Sequence, residues 1–212
     1  MKITKLEHSG MVLEKNGRSL VFDPVEIDAH LPELHDVELI VITHKHGDHL
    51  QPQAIERILQ QNPGARVLTT QDAASEIPGA EAHKGGENIA TENFSLKFFG
   101  QNHASIVPGV VPCENLGVVV DDVVMNPGDS FDVPAGMEQG PEVLLVPSAS
   151  PWNKVSESME YIKTVRPKIA IPVHNAVLSE FGNGIQNNWL RQACEAVGVQ
   201  FIPLGINESF EL

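Results

Sequence analysis

The sequence has few cysteines and no long apolar run. Its two cysteines, Cys113 and Cys194, do not make a disulfide framework, no C-x-x-C pair is present, and a reducing compartment fits both facts. The first residues lack the apolar stretch of a secretion signal, and no segment approaches membrane-spanning length. We therefore predict a cytoplasmic protein that has no membrane partner.

Basic residues are also scarce. Lysine and arginine number 14 against 28 acidic residues, which gives a formal net charge of −14. Nucleic-acid binders normally need a basic face, because neutralising phosphates supplies most of their affinity. The charge balance therefore argues against nucleic acid as a partner and favours a small-molecule substrate. It predicts nothing about the oligomeric state.

Three common catalytic signatures are missing. There is no Gly-x-Ser-x-Gly, so nothing indicates a serine nucleophile, and neither a dinucleotide-binding nor a P-loop glycine pattern is present. The chain has 212 residues, of which 42% are hydrophobic and 20% charged, and these are globular proportions. No linker or low-complexity segment divides it, so we predict one domain over residues 1–212.

The pattern of apolar residues predicts a layered fold of strands and helices. Asn16-Gly17 lies between two strand-like runs and indicates a hairpin, and Asp121-Asp122 does the same later in the chain. The apolar run from Glu38 to Thr43 is typical of a strand covered on both faces. Two mixed sheets with helices outside satisfy this pattern, as an α/β or α+β fold. Helices are predicted from Pro52 and over Asp72–Ile77, Ser156–Val165 and Gln186–Val197.

Four side chains that can bind a metal ion fall within six residues: His44, His46, Asp48 and His49. They follow the predicted buried strand and precede a predicted helix, and a loop in that position can bring several side chains to one point. For this composition, chance would produce H-x-H-x-D-H in roughly fewer than one chain in a thousand. Imidazole nitrogens and carboxylate oxygens suit zinc, iron or manganese. The sequence therefore predicts a metal site in this loop.

Several segments resemble signature motifs of the metallo-β-lactamase superfamily. The most specific is Thr43–His49, which reads Thr-His-Lys-His-Gly-Asp-His after an apolar strand. The opening His8-Ser9-Gly10 and the later Val21–Pro24 resemble the branch that includes ascorbate-6-phosphate lactonase. The resemblance implies an αββα sandwich, in which two mixed sheets lie face to face with the metals at one edge. The other matching segments are Gly100–His103, Pro127–Ser130 and Ile171–Asn175.

The resemblance also implies a ligand set for two divalent metal ions. Asp129 would bridge the ions, and each ion would keep room for a shared hydroxide that acts as the nucleophile. The candidate catalytic residues are Asp48, Asp129 and His8. Zinc is the first expectation for the cofactor, and manganese or iron would also fit these ligands. The implied ligands are His44, His46 and His103 for one ion and Asp48, His49 and His174 for the other.

Several further residues have two interpretations. His8 could line the pocket or cap a strand end, and Asp23 could orient a ligand or serve only a turn. Trp152, in the loop Pro147–Asn153, could form a stacking face of the pocket or a buried structural residue. The remaining histidines lie in polar stretches and are assigned to the surface: His30, His35 and His83.

The implied ligand set narrows the expected chemistry. True β-lactamases of the superfamily often have cysteine where Asp129 falls, and the flavodiiron branch has glutamate where His46 falls. The RNA-processing and glyoxalase-like branches carry additional segments for which this chain has little room. We therefore expect hydrolysis of a small ester, lactone or phosphodiester. Two alternatives stay open: a non-catalytic metal-binding scaffold or sensor, and a nuclease acting on short oligonucleotides.

Overall fold

Two mixed sheets form the centre of the computed structural model, which describes residues 1–137 and 139–212. In spatial order, the first sheet contains Ser209–Glu211 (β14), Lys2–Lys5 (β1), Met11–Lys15 (β2), Arg18–Phe22 (β3), Val37–Val41 (β4), Arg66–Thr69 (β5) and Glu81–Ala82 (β6). The second contains Gln200–Phe201 (β13), Ile169–Val173 (β12), Val143–Pro147 (β11), Val124–Asn126 (β10), Gly117–Val120 (β9), Ser95–Phe99 (β8) and Asn88–Ala90 (β7).

Helices cover the outer face of each sheet. A central apolar cluster combines inward residues of both sheets, such as Phe22 and Leu145. A second cluster packs Ile55 against the outer face of the first sheet, and a third packs Ile162 and Leu190 against the second. The layers therefore follow the order αββα, which confirms the predicted sandwich. The helices described are Pro52–Gln61 (α1), Gln71–Ala74 (α2), Val155–Val165 (α3) and Glu180–Ala196 (α4).

The burial of β4 explains its unbroken apolar sequence. Leu39 and Val41 belong to the central cluster, whereas Ile40 and Ile42 belong to the cluster beneath α1. Because successive side chains of a strand point to opposite faces, both faces of β4 need apolar residues. None of the helices in the described part of the chain is long and apolar enough to cross a membrane.

The strands that precede the metal-binding motifs run in a common direction within each sheet. In the first sheet, β1 and β3 are both antiparallel to β2, and β3 is parallel to β4. In the second, β8 and β10 are both antiparallel to β9, and β10, β11 and β12 are parallel. The carboxyl ends of β1, β3 and β4 therefore lie at one edge, as do those of β8, β10 and β12. Ligands converge at such ends in open α/β sheets.

Several predicted boundaries differ from the structure. Helix α4 begins at Glu180, six residues before the predicted Gln186, because Ser179 caps it by accepting a hydrogen bond from the Gly182 amide. The glycines that follow this cap weakened the helical pattern. Helix α2 is shorter than predicted and ends at Ala74, and the apolar run Val199–Leu204, which predicts a last strand, forms only the two-residue strand β13. The short strands β6, β7 and β14 were not predicted.

Candidate metal centre

The seven predicted metal ligands come together at the edge of the sandwich where the carboxyl ends of β1, β3 and β4 of the first sheet and of β8, β10 and β12 of the second lie. Their ligand atoms form overlapping groups, within each of which all atoms lie within 4.8 Å of one another. The division matches the implied one: one group holds the ligands expected for the first ion, and another holds those expected for the second together with His8. The groups are His44, His46 and His103; His44, His49 and Asp129; and His8, Asp48, His49 and His174.

Asp129 lies between the two sets of ligands. Its Oδ1 is 3.4 Å from His49 Nε2, and its Oδ2 is 3.2 Å from His103 Nε2 and 2.9 Å from His174 Nε2. The residue is 2% exposed. Asp129 Oδ2 lies between His103 of the first set and His174 of the second, and Oδ1 faces His49 of the second, so the carboxylate has the position that a bridging ligand needs.

Hydrogen bonds from Nδ1 orient the buried histidines. His103 Nδ1 donates to the Ala104 carbonyl at 2.5 Å, and His174 Nδ1 donates to the Ala149 carbonyl at 2.6 Å. A carbonyl can only accept, so Nδ1 carries the proton in both rings and Nε2 keeps a free lone pair. This is the tautomer that binds a metal through Nε2.

Asp23 orients ligands at the first sheet. Its buried Oδ2 accepts a hydrogen bond from His49 Nδ1 at 2.9 Å and another from the Thr43 hydroxyl at 2.9 Å. Because the Thr43 hydroxyl donates its proton to Asp23, the hydroxyl oxygen can accept a hydrogen bond from His44 Nδ1, which is 3.1 Å away. Of its two interpretations, Asp23 therefore fits the orienting role, although it also has the left-handed φ of 40° that a turn uses. The sequence did not indicate the role of Thr43.

The buried Nε2 atoms of three of these oriented rings have no hydrogen-bond partner among the described residues, as is expected of atoms that bind a metal ion. His44, His49 and His174 are each no more than 1% exposed, and their Nε2 atoms have no hydrogen-bond partner. A buried polar atom without a partner costs free energy unless something binds it. Several such atoms pointing at one aspartate fit a divalent cation, and the mixed nitrogen and oxygen donors fit zinc, manganese or iron.

The electrostatics of the cluster favour positive charge at its centre. Burial alone would lower the pKa of His49, but the charges of Asp129, Asp23 and Asp48 outweigh it and raise the pKa to about 9. Burial would raise the pKa of Asp129, yet the charge of His49 and the close approach of the His103 and His174 rings hold it well below its usual range. A site that keeps its carboxylates ionised in a buried position suits a cation.

His8 lies inside the cluster rather than at a strand cap. It is 1% exposed, and its Nε2 is 3.3 Å from Asp48 Oδ2. Its Nδ1 accepts a hydrogen bond from the Ala176 amide at 3.2 Å, so the neutral ring carries its proton on Nε2. In the opposite tautomer, a proton on Nδ1 would point at the proton of the Ala176 amide, and the two would repel each other. His8 is therefore arranged as a hydrogen-bond donor, unlike the ligand histidines.

The backbone of His8 is held from two directions. Its carbonyl accepts from Lys5 Nζ at 2.7 Å and from the His174 amide at 3.1 Å, and its φ is 55°. Burial lowers the pKa of Lys5 to about 8, against an opposing effect of the Glu7 charge. A buried lysine thus fixes the position of a buried histidine at the site, which the sequence did not indicate.

Trp152 contacts the proposed bridging ligand directly. Its Nε1 donates to Asp129 Oδ2 at 2.7 Å, and its ring packs edge-on against Phe131 with centroids 5.2 Å apart. The side chain is half-buried, so it is neither a fully buried structural tryptophan nor a free stacking face. It orients Asp129 from the second-sheet side.

The turn that carries Asp129 is held by Asn115. The Asn115 amide group accepts from the Asp129 backbone N–H at 2.9 Å and donates to the Pro127 carbonyl at 2.8 Å. Gly128 has a φ of 61°, and a Cβ there would collide with Asn115 Oδ1. Glycine is therefore required at this position for both conformation and space.

One surface assignment was wrong. His83 is stacked on Phe98, with ring centroids 5.0 Å apart, and its Nδ1 donates to Glu87 at 2.9 Å. Its side chain is 15% exposed, because the ring of Phe98 covers one of its faces. His30 and His35 are exposed, as predicted.

The fold and this centre define the class of αββα sandwich proteins with a histidine- and aspartate-rich metal site. A family model described as "Beta-lactamase superfamily domain" matches residues 2–174. Protein Rv0786c of Mycobacterium tuberculosis is 30% identical over 192 residues, which cover 87% of this chain and 89% of that protein. A UPF0173 metal-dependent hydrolase of Aeropyrum pernix is 30% identical over 203 residues, which cover 82% of this chain and 81% of that relative.

A solved structure has the same fold. Igni18, described as a metallo hydrolase from the archaeon Ignicoccus hospitalis, superposes with a TM-score of 0.73 at 19% identity, and the match covers 100% of this chain and 98% of that one. The chain belongs to the metallo-β-lactamase superfamily and, within it, to the UPF0173 metal-dependent hydrolase family. The finer resemblance to ascorbate-6-phosphate lactonase stays a prediction, since none of these three relatives is described as that enzyme.

Proposed function

We propose that this chain is a hydrolase that uses two divalent metal ions to cleave a small ester, lactone or phosphodiester. The observation that carries the proposal is the orientation of the buried histidines, whose Nδ1 atoms are satisfied and whose Nε2 atoms converge on Asp129. When bound, the two ions would supply a hydroxide nucleophile at neutral pH and polarise the bond to be cleaved. Zinc is our first choice, with manganese or iron as alternatives.

His8 and Asp48 have complementary roles in this proposal. His8 Nε2–H lies 3.3 Å from Asp48 Oδ2, and it would exchange this contact for a hydrogen bond to the substrate oxygen that gains charge when a metal ion occupies the Asp48 carboxylate. Asp48 is 41% exposed at its side chain, so it can exchange protons with water as well as bind metal. Burial would raise the pKa of Asp48, but hydrogen bonding from His8 and the charges of His49 and His174 hold it far below its usual range.

The open rim favours turnover over a purely structural metal site. His46 and Asp48 are partly exposed, whereas the other implied ligands are buried. Structural zinc sites are closed by four protein ligands, and catalytic sites keep a position that water or substrate can reach. A scaffold or sensor would not need two of its ligands at the surface.

An uncharged loop beside the site favours a substrate with an apolar group. The loop follows His103, and its ends are tied to the centre because His103 N donates to Cys113 O and Ala104 N donates to Asp129 O. Between these ends, Val110 and Val111 are 61% and 88% exposed. An apolar wall suits an ester or lactone better than a polyanion, which also disfavours the nuclease alternative.

The test is reconstitution of the metal-free protein with zinc, manganese or iron, followed by metal analysis and assays. The substrate panel contains an aryl phosphodiester, a sugar-phosphate lactone, a homoserine lactone, a thioester and a β-lactam. We expect two ions per chain and turnover of one substrate class, which a chelator abolishes. His46→Ala should abolish turnover and lower the metal content.

His35→Ala is the matched control, because this histidine is exposed and lies outside the cluster. It should leave metal content and turnover unchanged. A protein that binds two ions but cleaves none of the substrates would favour the scaffold or sensor. A protein that binds no metal would refute the proposal.

A further inference from the structure

Helix α4 carries an apolar stripe on its solvent face. Phe181, Ile185 and Trp189 recur every four residues and are 79%, 46% and 45% exposed, and Val177, in the turn before the helix, is 60% exposed. Side chains four apart lie on the same face of a helix. The opposite face already packs on the second sheet through Leu190, Ala193 and Cys194. The exposed part of the stripe therefore has no partner within the described residues of the chain.

The stripe lies in a surface segment that has no charge. Residues 181–190 read Phe-Gly-Asn-Gly-Ile-Gln-Asn-Asn-Trp-Leu, although the whole chain carries a net charge of −14. Two copies of so acidic a chain repel each other wherever their acidic surfaces meet. A surface that is both apolar and uncharged is where two copies can approach without that repulsion.

We infer that this face of α4 is a dimer interface, in which the helix packs antiparallel against α4 of a second copy. With the two-fold axis near Ile185, Phe181 of one copy would face Trp189 of the other. The same register would bring exposed Glu180 towards the turn that carries exposed Arg191 of the second copy, so the end charges are complementary. An isologous contact of this kind closes on itself and gives a dimer, not a filament.

The stripe would supply about half of the area that a dimer buries on each partner. Large apolar and aromatic side chains present up to roughly 150–250 Å² each, so the four exposed fractions leave roughly 400 Å² of side-chain surface. A stable interface buries about 800 Å² per partner, of which about two thirds is apolar in homodimers. The exposed Asn188 beside the stripe would add to this area, and residues flanking the helix would supply the remainder.

Gly184 is explained by the same contact. A Cβ at this position would meet nothing within 4 Å, so nothing in the chain's own structure requires glycine there. Glycine in the middle of a helix destabilises it by about 1 kcal/mol relative to alanine. Gly184 is exposed beside the stripe, where its lack of a side chain would let the backbone of a second helix approach closely.

The test is the mass of the metal-loaded full chain, measured by sedimentation equilibrium over a concentration series. We expect twice the chain mass of 23.1 kDa for the wild-type protein. Phe181→Glu and Ile185→Glu should each weaken association at least about 100-fold, since each buries a charge in the interface. Both side chains are exposed in the single chain, so the variants should fold, which circular dichroism checks.

Val111→Glu is the matched control, because it places the same charge on an apolar residue of the loop beside the metal site. It should leave the dimer intact. A wild-type protein that stays monomeric up to about 0.5 mM would overturn the inference. A dimer that survives both α4 variants, or that Val111→Glu also dissociates, would overturn it too. A monomer that binds lipid vesicles through Phe181 would overturn it and assign the stripe to a membrane surface.

The register has its own test. In a Cys113→Ser background, Ile185→Cys lies next to the two-fold axis and should form an intermolecular disulfide under mild oxidation. Val177→Cys, eight residues away in the turn before the helix, should cross-link far more slowly. Equal rates for the two variants would contradict the antiparallel arrangement.

Discussion

At the scale of single residues, hydrogen-bond direction separates His8 from the other histidines of the centre. The ligand histidines that donate from Nδ1 to a carbonyl or carboxylate keep Nε2 free, whereas His8 accepts at Nδ1 and carries its proton on Nε2. The spacing of histidines in the sequence cannot show this difference, because it depends on the Ala176 amide, which is 168 residues away. Two histidines of equal burial can therefore have opposite roles.

We expect His8→Ala to leave the metal content at its wild-type value. If His8 donates to the reacting oxygen, kcat/KM should fall by about 10²–10³-fold, as for other donors of this kind. Metal analysis of the purified variant and steady-state kinetics measure the two effects separately. A loss of one ion per chain would show that His8 is a ligand instead.

Asp23→Asn should weaken metal binding by about 10–100-fold, because the neutral amide no longer fixes the proton on His49 Nδ1. Competition with a chelating dye measures the affinity. Asp36→Asn is the control, since Asp36 also has a left-handed φ, 56° against 40°, but is exposed at the surface. Equal affinities for the two variants would rule out the orienting role.

Lys5 predicts a dependence of stability on pH. Its pKa is about 8 in the folded protein and 10.5 in the unfolded chain, so the cost of burying the charge is fully present below pH 8. Between these values the unfolded chain binds more protons, and stability rises with pH by on the order of 3 kcal/mol. Urea unfolding at about pH 7 and about pH 10 should show this rise in the wild-type relative to Lys5→Met. A difference that does not change with pH would contradict it.

At the scale of elements, local chemistry predicted turns and buried strands well. Asn16-Gly17 and Asp121-Asp122 both have positive φ and connect paired strands, as the hairpin prediction required. The start of α4 was missed because Gly182 and Gly184 interrupt its pattern, and the helix is held by its cap and by packing on the second sheet. Element type follows from the sequence, whereas boundaries depend on tertiary contacts.

The candidate site shows the same limit. The cluster from His44 to His49 is visible because its members are adjacent, and the structure groups the distant His103 and His174 with it. The contacts of Trp152 and Asn115 with Asp129 could not be predicted, because they join separate loops of the second sheet. Nor could the burial of His83, which depends on the ring of Phe98.

Gly128→Ala should destabilise the turn that presents Asp129. The left-handed φ costs about 1–2 kcal/mol for alanine, and the collision with Asn115 adds to it. Gly79→Ala is the control for φ alone, since Gly79 has a φ of 82° with nothing within 4 Å of the added Cβ. In chemical denaturation, we expect Gly128→Ala to lose about 2 kcal/mol more than the control, together with metal affinity. Equal losses would show that the turn can adjust.

At the scale of the whole molecule, metal binding should contribute strongly to stability. Each ion that binds the folded chain alone adds about 4 kcal/mol when its free concentration is 1,000 times its dissociation constant. For a chain of this size, that raises Tm by roughly 10 °C per site. Calorimetry with and without a chelator should therefore show a large fall in Tm, and His46→Ala should show a smaller one. An unchanged Tm would mean that the centre binds no metal in the folded protein.

The predicted ligands come from both sheets, and this has a consequence for how the protein would assemble. His44, His46, Asp48 and His49 leave the first sheet, whereas His103, Asp129 and His174 leave the second. Neither half of the chain can capture an ion with the full set of ligands, so high-affinity capture has to follow the docking of the halves. An ion bound in this way would hold the two halves together, because it would have to be released before they could separate. Cellular metal supply would thereby set not only the activity of each molecule but also how long it survives.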